Sequence, residues 1–277
     1  MSLFDLTGKV ALVTGATKGI GLGVSRQLAA HGARLILSSR NQSDCDARAA
    51  ELNAAHPGPA PIAAGLACDI EDLDEVERLA KGAIAVFGGV DILVCNAAVL
   101  PHIGPSAETS TDLFNRILIA NIHHNFRLCH AVRASMASCG GGSIVLIGSM
   151  SGHKAAPETM AYSIAKAGVA HMARCLADEF AVDRIRVNCV APGLTRSDAS
   201  RPLWENAQVL APITQAIPLR RIGEPDDIAG AVIFLSAQAG SYVSGSSLIV
   251  DGGQTKLSVP SGAAGGVVDV MQGTSFN

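Results

Sequence analysis

The 277-residue chain is short of charge. Asp, Glu, Lys and Arg make up only 16% of it, against 48% apolar residues. That balance excludes the disordered class, which pairs low hydrophobicity with high charge. The net charge is −3, so the chain lacks the basic excess that marks binding to nucleic acid or to an anionic membrane surface. No apolar run reaches the roughly 20 residues of a membrane span. Residues 1–9 lack a charged segment followed by an apolar stretch, and so do not read as a secretory signal. No CxxC pair occurs among the seven cysteines, at positions 45, 68, 95, 129, 139, 175 and 189. Their odd number and wide scatter argue against a zinc site or a disulfide framework, and for reduced thiols in a cytoplasmic protein.

What is present is an alternation. Short apolar runs predict strands at 10–13, 34–38, 62–68, 92–95, 143–147, 185–190 and 246–250. Between them, helical patterns cover 20–30, 43–55, 72–87, 112–138, 158–181 and 226–235. Continuously apolar strands separated by helices imply an α/β fold, with a doubly wound parallel seven-stranded sheet and helices on both faces. No linker breaks the alternation, so residues 1–256 read as one domain. The tail, 257–277, is rich in Gly, Ser and Val and has one charged residue, Asp269. It is expected to be flexible or to dock on a neighbouring subunit.

The first strand runs directly into Thr14-Gly15-Ala16-Thr17-Lys18-Gly19-Ile20-Gly21, which opens a helix. Glycines at 15, 19 and 21 let the backbone turn tightly and approach a pyrophosphate, which the helix N-terminus favours electrostatically. A carboxylate at the end of the second strand would select the free ribose 2′-OH of NAD(H). The chain has Ser38-Ser39-Arg40 there instead. Arg40 and Lys18 could hold a 2′-phosphate, which favours NADP(H) over NAD(H), or could be solvated surface cations. Asp69, followed by Ile70, ends the third strand. It could accept from an adenine amino group or cap the next helix.

Tyr162 and Lys166 lie four residues apart on one helix and so share a face. An ordinary phenol, with a pKa of about 10, is a poor proton carrier near neutrality. An adjacent ammonium is expected to stabilise the phenolate and lower that value. The tyrosine could then protonate an alkoxide or accept an alcohol proton. Ser149 lies just past the fifth strand, at the edge where ligands bind in such sheets. It could hold a substrate carbonyl, and Ser151 competes for that role. Asn121, inside an apolar helical pattern, could be a structural amide or could orient a water linked to Lys166. The nearby His123, His124 and His130 lack metal-ligand partners in the sequence, so no metal site is expected.

Together these residues resemble the short-chain dehydrogenase/reductase family, in its single-domain branch, from about Leu6 to Gly253. The motif TGATKGIG looks like the family's glycine motif. Cys95-Asn96-Ala97-Ala98 resembles its Asn-Asn-Ala-Gly segment, with Cys95 and Ala98 as departures. Asn121, Ser149, Tyr162 and Lys166 follow the order and spacing of its catalytic tetrad. The resemblance implies that Tyr162 is the acid–base residue and that Lys166 binds the nicotinamide ribose. It implies that Ser149 orients substrate and that Asn121 holds a water relay. It further implies that Asp69 touches adenine and that Asn96, Ala97 and Ala98 line the adenosine ribose. Pro192, Gly193, Thr195 and Ser197 would lie on the nicotinamide side. The helices bearing Asn121 and Tyr162 would form a face of a homodimer or homotetramer.

The segment Leu194–Pro218 carries Leu203, Trp204, Val209, Leu210 and Ile213 with few charges. It reads as a lid with an apolar face, over a small carbonyl or alcohol substrate, or as a segment packed on the core. A 3-oxoacyl thioester on an acyl carrier protein is the alternative; its acidic carrier would need a basic patch, for which Arg127, Arg133 and Arg174 are available. A non-catalytic nucleotide-binding scaffold is the alternative of another class, against which the intact Ser149, Tyr162 and Lys166 argue.

Overall fold

The computed structural model describes residues 2–100 and 103–255. The expected flexible or docking tail, 257–277, lies outside them. The strands are β1 (Val10–Thr14), β2 (Arg34–Ser39), β3 (Ala63–Ala67), β4 (Ile92–Cys95), β5 (Gly142–Ile147), β6 (Ile185–Pro192) and β7 (Ser247–Val250). All pair in parallel, in the order β3-β2-β1-β4-β5-β6-β7. This is the Rossmann-type sheet that the alternation implied.

Period-2 alternation sends successive strand residues to opposite faces, and here both faces are dry. Val10 and Leu12 enter one core, with Leu93, Ile144 and Val187. Ala11 and Val13 enter the other, with Leu35, Leu37 and Val145. The first core is covered by α3 (Leu73–Phe87), α5 (Asn125–Ser138) and α6 (Met160–Glu179). The second is covered by α1 (Gly19–Ala30), α2 (Gln42–Ala55) and α9 (Pro225–Ser236). Each fully buried Leu or Ile contributes about 1.5–3 kcal/mol by leaving water. No helix among the described residues is long and apolar enough to cross a membrane.

The strand order reverses between β1 and β4, and the two carboxyl ends are stitched together there. Thr14 Oγ1 accepts from the main-chain N–H groups of Asn96 and Ala97 at 3.0 and 3.1 Å. Asn96 Nδ2 donates back to the carbonyls of Thr14 and Gly15. In the adjoining turn Gly15 has φ +64°, and a Cβ on Gly21 would lie 2.1 Å from the Gly15 carbonyl oxygen. No side chain fits at either position without moving the turn.

One expectation needs correcting, and one segment gains detail. The helix expected over 112–138 is three pieces: α4 (Thr111–Leu118), a π-helical segment Ile119–His124, and α5. The wide turn carries Asn121, whose side chain accepts from Val99 N–H and donates to Val99 C=O, both at 3.0 Å. The segment 194–218 contains two helices, α7 (Arg201–Trp204) and α8 (Ala207–Ala216). Its apolar side chains Leu203, Trp204, Val209, Leu210 and Ile213 are half-buried.

Because Gly21 meets the turn backbone rather than a flexible side chain, Gly21→Ala should displace the turn. We expect it to destabilise the fold by about 1–3 kcal/mol and to weaken nucleotide binding. Thermal unfolding with and without nucleotide checks this, and parental values in both would refute it.

Candidate active site

A cavity of about 710 Å³ opens at the carboxyl ends of the strands, above the switch between β1 and β4. Every residue expected at the site lines it except Asn121 and Gly21. Gly21 is buried beneath the turn. Asn121 is buried behind Val99, which is itself in the wall. The Asn121 amide spends one donor and one acceptor on Val99 and keeps one of each, and its main-chain carbonyl accepts from Asn125 Nδ2 at 2.8 Å and has a second lone pair.

At one end, Gly15, Thr17, Lys18, Gly19 and Ile20 form the floor, and Ser39, Arg40, Asp69 and Ile70 the side. Lys18 and Arg40 are exposed. Lys18 Nζ stands 3.9 Å from Asp198, which also accepts from Arg201 at 2.6 Å. Ser39 Oγ lies against Cys45 Sγ at 3.3 Å. Asp69 does not cap the next helix: Asp72 does, accepting from Glu75 N–H, while Asp69 accepts from Glu71 N–H. Glu71 also lines the wall, and its bidentate pair with Arg116 holds its carboxyl below the usual range.

At the other end, β5 delivers Ser149 and α6 delivers Tyr162 and Lys166. Lys166 is 2% exposed, and Nζ donates to the Ile147 carbonyl at 2.7 Å. Burial lowers its pKa to about 8. Its ammonium lies 5.4 Å from the Tyr162 ring centroid. The expectation that this ammonium lowers the phenol pKa does not hold here. Burial raises Tyr162 to about 12, and a hydrogen bond with Ser149 offsets part of that. Lys166 donates to Ile147 and meets Tyr162 over the ring rather than through a hydrogen bond to the phenol oxygen. Ser149 Oγ accepts from both the main-chain N–H and the hydroxyl of Ser151, at 3.2 and 2.9 Å.

Pro192 ends β6 and Gly193 follows it in the same wall as Ser149, Tyr162 and Lys166, and a Cβ on Gly193 would lie 2.7 Å from Asp251. Thr195 bridges to Gly223, and Ser197 bonds to Ser200. Ala98 keeps its place in the wall, whereas Cys95 turns into the core beside Cys129, so that departure leaves the cavity lining unchanged. His124 is buried with Nδ1 against the Ile70 carbonyl, and His130 packs between Phe126 and Phe180. The sequence reading did not single out Thr14, Val99, Glu71, Asp198 or Ser200. Only Thr14 carried a signal, as the first residue of the glycine motif.

The family model described as "Enoyl-(Acyl carrier protein) reductase" matches residues 15–255. The chain is 38% identical over 248 residues to "Dehydrogenase/reductase SDR family member 4" of Bos taurus, covering 90% of this chain and 88% of that protein. Among solved structures it is similar to a gluconate 5-dehydrogenase from Burkholderia cenocepacia in complex with NADP and tartrate. The TM-score is 0.86 at 29% identity, covering 92% of this chain and 98% of that one. It is also similar to a 7α-hydroxysteroid dehydrogenase complexed with NADH and 7-oxo glycochenodeoxycholic acid. There the TM-score is 0.84 at 34% identity, covering 90% of this chain and 95% of that one. With this sheet, this cavity and these relatives, the chain belongs to the short-chain dehydrogenase/reductase family and is an NAD(P)-dependent oxidoreductase.

Proposed function

We propose that the protein is an NADP(H)-preferring carbonyl reductase or alcohol dehydrogenase with Tyr162 as its acid–base residue. The observation that carries this reading is the meeting of Tyr162, Lys166 and Ser149 in one wall of a cavity whose far end is floored by a glycine turn. The residues present fit a dinucleotide. The turn leaves no room for a Cβ at Gly21, and an ammonium has three donors, of which Lys166 spends one on Ile147. When bound, the nicotinamide supplies or accepts the hydride. Tyr162 Oη gives its proton to the oxygen of the ketone as that oxygen gains charge, or takes the alcohol proton in the reverse direction. A phenol raised to about 12 stays protonated at neutral pH, which suits reduction. The remaining N–H groups of Lys166 hold the ribose, and the hydrogen bond from Ser149 steadies the phenolate left behind. Ser149 holds the substrate oxygen. Asn121 fixes Val99, and its main-chain carbonyl offers a place for a relay water.

The cations in the wall support a neutral or moderately polar ketone. Lys18 and Arg40 stand at the glycine-turn end and the donors that Lys166 does not give to Ile147 are assigned to the ribose, so none is left for a substrate anion. The apolar lid residues do not line the cavity; Leu194, Ala199, Val99 and Leu100 do. The family model's description brings the acyl-carrier alternative forward. Its basic patch is largely neutralised: Arg127 pairs with Glu77, and Arg133 with Glu179 and Asp183. The test is a panel of neutral ketones and anionic sugar acids with NADPH and NADH. Turnover of neutral ketones is expected, with a loss of about 10²–10⁴ in Tyr162→Phe. A fully active Tyr162→Phe would sink the mechanism, and turnover of anionic substrates alone would sink the substrate class.

The preference for NADP(H) rests on Arg40 and Lys18 beside the carboxylate-free end of β2. The Lys18–Asp198 pair is exposed and long, and therefore weak enough to yield to a phosphate. Arg40→Asp is expected to weaken NADPH binding by about tenfold or more, the loss of a charge-assisted contact, and NADH much less. Equal losses for both would remove the case.

The expected homodimer or homotetramer has a candidate face. Ile119 and Phe126, on the π segment and α5, and Met160 and Ile164, on α6, are large, apolar and exposed. Ile164→Glu is expected to shift the sedimentation of the protein toward the monomer. A monomeric parent, or an unchanged oligomer, contradicts this placement.

A further inference from the structure

Ser151 and Ser149 were competitors in the sequence; the structure puts them in series. Ser151 stands behind the cavity wall and Ser149 in it. Both donations from Ser151, from its N–H and from its hydroxyl, end on Ser149 Oγ. A hydroxyl has two lone pairs and one proton. Two accepted bonds fill the lone pairs of Ser149, so its proton is the only thing it has left to offer. Accepting a hydrogen bond also polarises a hydroxyl toward stronger donation.

The pair is held against rotation. Met150–Gly152 forms one tight turn directly after Ser149. Gly152 presses on the helix that carries Tyr162 and Lys166, where a Cβ would lie 2.7 Å from Ala167 N and Lys166 C. Ser151 is half-buried in this turn, so its hydroxyl stays aimed at Ser149.

We infer that Ser151 is a positioning residue that makes Ser149 an obligate donor, its one proton serving the substrate oxygen while Tyr162 is protonated and the phenol oxygen once that proton has left. The inference rests on the Tyr162 mechanism proposed above. It closes a nonproductive arrangement: a Ser149 hydroxyl free to rotate would accept from the phenol and occupy the proton that Tyr162 must give. Filled lone pairs forbid that, and Ser149 instead donates to the phenol oxygen and steadies the phenolate.

The test reads alcohol oxidation against pH in Ser151→Ala, Ser151→Thr, Ser149→Ala and the Ser149→Ala/Ser151→Ala pair. Oxidation needs the phenolate, so its rate rises as pH climbs through the titration of Tyr162. Lys166 is the charged group beside that phenol and is unaltered in all four variants. Ser151→Ala is expected to lower kcat by about tenfold, the worth of one hydrogen bond, and to move the rise to higher pH. Ser151→Thr keeps the hydroxyl and should keep the parental profile. In the Ser149→Ala background, Ser151→Ala should change nothing further. A parental pH profile in Ser151→Ala, or a loss that adds fully to that of Ser149→Ala, overturns the inference. Tyr162→Phe tells the two failures apart. If it is inactive while the Ser151→Ala profile stays put, only the Ser151 role falls; if it is fully active, the mechanism falls with it.

Discussion

An ammonium group sits almost wholly out of water at the end of the central sheet, and none of the ion pairs among the described residues neutralises it. Lys166 is kept there by one main-chain carbonyl, that of Ile147, at the last residue of β5. Desolvation of a lone cation is costly, which is why its pKa falls to about 8. The other features of the reacting end depend on this contact. It ties α6 to the end of β5, while Val169, Ala173 and Leu176 hold the helix on the core, and Tyr162 stands in the cavity wall one turn earlier. It also fixes the strand end from which Ser149 projects. A buried cation with spare donors and no acidic partner is a group waiting for an oxygen-rich ligand.

The opposite end of the cavity follows a different rule. There the main chain does the shaping: Thr14 and Asn96 tie two strand ends together, and Gly21 lets a helix close on the turn without an intervening side chain. Charge is exposed at this end and buried at the other. The glycine-turn end can exchange surface cations at little cost, whereas any change at Lys166 disturbs a desolvated group.

Much of this was legible in the residues. The apolar runs gave away every strand because a sheet covered on both faces has no polar alternation to hide it. The glycine turn, Ser149, Tyr162 and Lys166 were legible because each is a residue type that its position requires. The π segment at 119–124 was not. It contains neither Gly nor Pro, and the contact it carries, between Asn121 and Val99, spans 22 residues of sequence. α7 and α8 were hidden by their shortness and by prolines 202 and 212. The raised pKa of Tyr162 was hidden too. Spacing places Lys166 on the right face, but the direction in which its ammonium turns is decided by the Ile147 carbonyl. The ranking of Ser149 and Ser151 needed the direction of a single hydrogen bond.

The segment between β6 and α9 begins and ends at one point. Gly223 N–H donates to the Leu194 carbonyl at 2.9 Å, and Arg196 N–H donates to the Gly223 carbonyl at 2.8 Å. Nearly thirty residues thus leave the sheet and return through this main-chain clasp, tied again by Leu219 N–H to the Gly252 carbonyl at 3.2 Å and by the buried Ile217 and Ile222. The entropic cost of closing such a loop grows only slowly with its length. Its first residues, Thr195, Ser197 and Asp198, thus belong to the cavity wall as fully as the strand ends do, while its two helices stand outside that wall.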